Sequence, residues 1–187
     1  MKVDHPGSML DNLMRQTRVH HVQLSMMADM KANMMLTVAS IVLTYSVGYL
    51  NDPFFQWPAL TLIGFCMASV FTAILSAMPR VPLPNAKKPV DRNSPHFNLL
   101  FFGSFIHLSY DEFCEEMEKM LNDDNLATEQ MVRELYSLGA FLAYRKYRYL
   151  YWSYSLFIGG LLCAGLVQIG SVVFKSLGYD IWHFGGI

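Results

Sequence analysis

Charge is what this sequence has least of. Of 187 residues only 16% are Asp, Glu, Lys or Arg, while 53% are hydrophobic and 14% aromatic. An average soluble domain is roughly 25% charged, so this chain is short of groups to face water with. A formal net charge of −1 removes the long-range pull toward polyanions, and no nucleic-acid partner is expected. Cysteine is scarce as well. Cys66 and Cys163 sit inside apolar runs, where a thiol behaves as a small hydrophobe, and Cys114 stands apart. Without a CxxC or a Cys/His spacing, neither a disulfide frame nor a zinc site is supported.

Catalytic signatures are missing too. There is no Ser/His/Asp order, no nucleophile elbow and no glycine-rich phosphate loop. His20 and His21 are neighbours and so point to different faces of a helix, while His96 and His107 lie far off. The carboxylates Asp111, Glu112, Glu115, Glu116 and Glu118 read as a solvated acidic face rather than an acid/base pair. The expectation is a non-enzyme with no catalytic residue, no metal and no cofactor. Residues 1–31 carry His, Asp, Arg and Lys without an apolar stretch, so the first span is expected to insert uncleaved.

What is present is three long runs without a single Asp, Glu, Lys, Arg or His: Ala32–Leu50, Ala59–Met78 and Leu150–Phe174. Each meets the length of about 20 residues needed to cross a bilayer as a helix. Cations set the orientation. Lys2, Arg15, Arg18 and Lys31 precede the first run, and nine more lie between the second and third; the opposite side holds only Lys175. Residues 1–31 and 79–149 are therefore expected on the cytoplasmic side of the membrane. The tail, 175–187, is expected outside, with Trp182 and Phe184 at the interface. NDPFFQWP forms the outer turn of a hairpin (32–50 and 59–78), with Pro53 and Pro58 breaking the helices and Phe54, Phe55 and Trp57 in the aromatic belt.

The remaining sequence reads as helical. Ser8 is placed to cap a helix whose inner face is Leu10, Leu13, Thr17, His20, Leu24 and Met27. No Gly or Pro separates it from the first span, so the two are expected to be continuous. RVPLPNAKKPVDRNSP is an irregular linker. NLLFFGSFIHLS is either a buried extended segment or one lying on the membrane surface. Ser109 starts a helix with acidic first turns, and Thr128 starts another that runs without a break into the third span. The expected fold is an all-α membrane protein: three transmembrane helices, and a cytoplasmic helical module made by the N-terminal helix and the loop between spans two and three.

Two sets of side chains stand out. Small or polar residues recur within the spans: Ser40, Thr44 and Gly48; Gly64, Ala68, Thr72 and Ser76; Gly160, Ala164 and Gln168. Such stripes let helices approach closely in lipid, either within one chain or between copies of a homo-oligomer; a pore lining is the further role they suit. With no carboxylate or cation inside any span, a proton relay has no residues to work with. Outside the spans, Arg15, Arg18, Asp29, Lys31, Asn98, Arg133, Arg145, Lys146 and Arg148 are candidate ligand contacts. For those at the membrane mouth, anchoring in lipid headgroups is the competing reading.

LSMMADMKANMMLTVASIVLT, AMPR after the second span, NLLFFGSFIHLSYDEF and ELYSLGAFLAYRKYRYL, in that order over about residues 22–160, resemble the Pycsar effector membrane family. The residues that match its motifs are Asp29, Lys31, Ala32, Pro79, Asn98, Phe101, Phe102, Gly103, Lys146 and Tyr147. The resemblance implies antiphage defence, in which a partner cyclase makes a cyclic pyrimidine mononucleotide and the effector impairs the inner membrane. No cyclic-nucleotide-binding β-roll is recognisable, so sensing would fall to the helical part. The rival expectations are a membrane scaffold that recruits a cytoplasmic enzyme and, third, a membrane-embedded enzyme.

Overall fold

The structure is a computed structural model describing residues 7–78 and 97–177, the side chains of Phe102 and Gly103 excepted. Within these residues every regular element is a helix. Three helical runs are long and apolar enough to cross a membrane: Ser8–Gly48, Gln56–Ala77 and Asp124–Ser176. Two compact units emerge, one of residues 1–25 with 79–144 and the other of 26–78 with 145–187. The proline-rich linker, Pro79, His96, Trp182 and Phe184 lie outside the described residues.

The second unit holds the apolar runs. Helix α1 (Ser8–Gly48) extends unbroken from the polar N-terminal segment through the first run. It starts one residue earlier than a Ser8 cap would allow: the Gly7 carbonyl already accepts from the Leu10 and Asp11 amides. Its end, at Gly48, falls two residues short of the expected Leu50. Helix α2 (Gln56–Ala77) begins before the expected Ala59, because Pro58 sits in its first turn. There a missing N–H removes no helical hydrogen bond, so this proline opens the helix instead of breaking it. Asp52 shapes the turn before it, its carboxylate accepting from the Phe54 amide at 2.9 Å.

The third apolar run belongs to α6 (Arg148–Ser176). Its buried residues Leu150, Ser153, Gly160 and Ala164, those of α2 (Ala59, Cys66, Ser69, Ala73, Ser76) and those of α1 (Ala28, Ala32, Met35, Ala39, Ser46) are mostly small. They recur on steps of three and four, the spacing of helices packed at a shallow angle with close backbones. Ser69 meets Ser153 and Ser76 meets Lys146, so α2 and α6 run antiparallel.

The first unit has its own small core of Phe97, Leu99 and Met120, covered by Leu100, Phe105, Leu108, Phe113, Met117 and Ala127. NLLFFGSFIHLS is thus buried in part, but as turns around the four-residue helix α3 (Phe102–Phe105) and not as an extended strand. Helix α4 (Tyr110–Leu121) opens on a full capping box: Ser109 Oγ accepts the Glu112 amide and Glu112 reaches back to Ser109. Such a cap is worth about 1 kcal/mol. Helix α5 (Asp124–Phe141) begins four residues before the expected Thr128. Asp123 supplies the cap there, its carboxylate accepting from the Asn125 and Leu126 amides.

The N-terminal part of α1 is turned from its expected phase. Leu10, Thr17 and Leu24 are half-buried as anticipated, but Met14 and His21 join them while Leu13, His20 and Met27 are exposed. Between α5 and α6 the chain stays helical, yet Leu142–Tyr147 winds as a π-helix. That register change within a continuous helix had no counterpart in the sequence reading.

Candidate functional site

Two places gather the chemistry-bearing side chains, one in each unit. In the first unit a pocket of about 270 Å³ is lined by Asp11, Met14, Arg15, Arg18, Leu100, Met131, Glu134 and Leu135. Arg15 and Arg18 stand nearly one turn apart on α1, while Met131, Glu134 and Leu135 share a face of α5, as spacings of three and four require. The floor is apolar and the rim charged. Arg18 pairs with Glu134 at 3.2 Å; the Glu134 side chain is 12% exposed and that of Arg18 59%. Arg15 is exposed. A guanidinium donates in a planar fork, so this rim can take an anion, with Glu134 already holding one of the two forks in place.

Close by, the His21 ring lies where a Cβ on Gly139 would meet it at 3.4 Å. Its Nδ1 is buried with no hydrogen-bond partner among the described residues. Asn98, 2% exposed, uses its carbonyl oxygen to accept from the Leu100 amide at 2.9 Å. That bond shapes the turn which places Leu100 on the pocket wall.

The second place is in the span unit. Lys146 Nζ donates to both carboxylate oxygens of Asp29, each at 2.7 Å. The lysine side chain is 15% exposed and the aspartate 42%. The Lys146 carbonyl accepts from Ser76 Oγ at 3.0 Å. Through one residue, α6's leading π turn is thus bonded to α1 by its side chain and to α2 by its backbone. Ala28, Ala32 and Leu150 form the adjoining core, with Ala77 and Tyr147 against it. Deeper in the seam, Ser69 and Ser153 each donate a hydroxyl to the other's backbone carbonyl, at 2.8 and 2.9 Å.

The nine candidate ligand residues therefore separate. Arg15 and Arg18 share the pocket; Asp29 and Lys146 share an ion pair; Asn98 supports a turn. Arg133 is bound to Glu129 on its own helix at 2.7 Å. Arg148 lies over the Tyr149 ring at 5.7 Å, and Lys31 and Arg145 are exposed. The small-residue stripes separate as well. Gly160 and Ala164 are buried in the seam, Ala68 and Thr72 half-buried, and Ser40, Thr44, Gly48 and Gly64 exposed. Gln168 is half-buried, its carbonyl oxygen enclosed with no partner among the described residues.

Glu134, Ser69 and Ser153 escaped the sequence reading, whereas Ser76 stands in the small-residue stripe of the second span and is buried in the seam. Glu134 did leave a signal, a carboxylate between Met131, Leu135 and Leu138 on one apolar helix face. Ser69 and Ser153 left none, because a serine facing lipid and one facing a partner helix look alike in sequence.

Compared with known proteins, the chain matches the Pycsar effector protein domain over residues 12–171, which takes in both places just described except Asp11 of the pocket. No curated protein and no solved structure matches it.

Proposed function

The chain belongs to the Pycsar effector family, and from that membership we propose that it is a signal-gated effector whose target is the bilayer itself. Membership alone makes it a bacterial membrane protein and, at family level, a transmembrane effector of antiphage defence linked to a cyclic-nucleotide signal from a cyclase. In our reading the signal is a cyclic pyrimidine mononucleotide, received in the helical module on the cytoplasmic side, with the N-terminus also inside. The response is loss of inner-membrane integrity, and the protein carries out no chemistry of its own.

The observation that carries this reading is that α1 is one helix from Ser8 to Gly48, bearing the pocket arginines near one end and the first span at the other. A cyclic phosphate needs cationic donors, which Arg15 and Arg18 supply; its base needs an apolar bed, which Met14, Leu100, Met131 and Leu135 supply. Carboxylates at Asp11 and Glu134 can accept from base N–H groups. Displacement of Glu134 from Arg18 by the phosphate would change how α1 is held by α5, and α1 continues into the membrane. Small residues fill the seam between the spans of one chain, so several copies together form the opening.

The test is expression with a pyrimidine cyclase while membrane potential is followed. Depolarisation is expected with the wild type, and its loss with Arg15→Ala/Arg18→Ala. Unchanged polarisation, with the protein present and the nucleotide confirmed, refutes the reading. A single stoichiometric partner recovered from intact membranes would then favour the scaffold role.

A further inference from the structure

The geometry points to the Asp29–Lys146 pair as the latch that keeps the three spans in their resting arrangement. The inference deepens the reading above, since a latch matters only if the spans move. The three spans are not held alike. Along α2 and α6 the ties repeat: Ser76 to the Lys146 carbonyl, the reciprocal Ser69–Ser153 pair, and Phe65 against Gly160. Helix α1 meets the segment leading into α6 at the Asp29–Lys146 pair and at the alanines beside it, and buries Met35, Ala39 and Ser46 farther along. Toward its other end a crevice of about 390 Å³ opens, with Val42, Tyr45, Ser46 and Tyr49 on one side and Pro58, Leu62 and Ala164 on the other. The span packed with a gap at one end and pinned by a charge pair at the other is the one built to move.

The pin sits in the π segment, Leu142–Tyr147. A π turn holds one more residue than the α turn it replaces, and such insertions often mark functional sites. If the segment rewinds as α-helix while α6 keeps its seat on α2, the residues within it change their bearing around the helix axis. Lys146 then leaves Asp29, and its carbonyl leaves Ser76. Near lipid an ammonium and a carboxylate parted from each other both turn to water or to headgroups, which favours separation of α1 once the pair is broken. The device needs no titration and no ligand at the pair itself; a change of winding between α5 and α6 suffices.

Purified wild type, Asp29→Asn, Lys146→Gln and the swap Asp29→Lys/Lys146→Asp, reconstituted in lipid vesicles, distinguish these statements by leakage of an entrapped dye without any nucleotide. The single variants are expected to leak at least several-fold faster than wild type, and the swap to return near the wild-type rate. Circular dichroism of each variant checks that it has folded. Folded single variants as tight as wild type would overturn the latch, and so would a folded swap that leaks as fast as they do. The assay uses no cyclase and no signal. A wild type that never responds to a nucleotide would count against the proposed function and leave the latch result standing.

Discussion

The seam between α2 and α6 and the joint between α1 and α6 are built from opposite materials. The seam uses neutral groups: Ser69 and Ser153 are fully buried, and their hydroxyls bond across the interface. The joint uses a full ion pair whose aspartate is 42% exposed. In lipid a buried hydroxyl pair has no water to turn to when parted, whereas a half-exposed carboxylate at the mouth does. Neutral, buried contacts suit an interface that stays closed. A charged contact within reach of water suits one that opens. The latch experiment above applies the largest functional strain to this contrast, and the substitutions below probe its structural side.

The largest structural effect is expected at Gly160. A Cβ there would lie 2.5 Å from the Cβ of Phe65, too close to a branch point for a rotamer change to relieve. Gly160→Ala must push α2 and α6 apart, at a cost of about 2 kcal/mol. Gly64→Ala is the matched control: nothing lies within 4 Å of its Cβ position, and alanine is the better helix former. Denaturation in detergent, followed by helicity, should show Gly160→Ala unfolding earlier and Gly64→Ala no earlier than wild type. Equal destabilisation by both would mean that the seam is not closely packed at Gly160.

How much of this was legible beforehand differs by element. The three spans were, because uncharged runs of that length match the thickness of a bilayer core. So was the unbroken α1, since nothing between Ser8 and Gly48 stops a helix. The Ser109 cap was legible from its own residue and Glu112 three positions on. The phase of α1 was not: Leu13 and Met27 are exposed, and in a helix bound for lipid apolar residues occupy the outer face as well as the inner. That ambiguity also hid which small residues pack, because Ser40 and Gly160 look alike until a partner helix is placed. The π segment has no composition of its own. Asp29 and Lys146, 117 positions apart, are each legible as charges beside a span, but only the fold makes them a pair.

A smaller effect is expected at Ser69. Ser69→Ala removes the hydroxyl that donates to the Ser153 carbonyl and leaves Ser153 to bond the Ser69 backbone alone. Interhelical hydrogen bonds of this kind are worth about 0.6 kcal/mol on average and up to about 1.7 kcal/mol. A double-mutant cycle with Ser153→Ala should return a coupling in that range. A coupling of zero would say that shape, and not the hydroxyls, holds the seam.

The smallest effect is expected from the same chemical change on α1. Ser46 is also buried, at 5% exposure, but its hydroxyl donates to the Val42 carbonyl of its own helix at 2.8 Å. Ser46→Ala removes a bond that reaches no other span, and the carbonyl keeps its place in the helix ladder. The change in stability should stay within about 0.5 kcal/mol, with vesicle leakage unchanged. A loss as large as that at Ser69 would show α1 fastened along its length by contacts of the same strength as the α2–α6 seam. Vesicle leakage would then have to be explained by something other than a single pinned end, because a helix held firmly near Ser46 could not leave when Asp29 lets go.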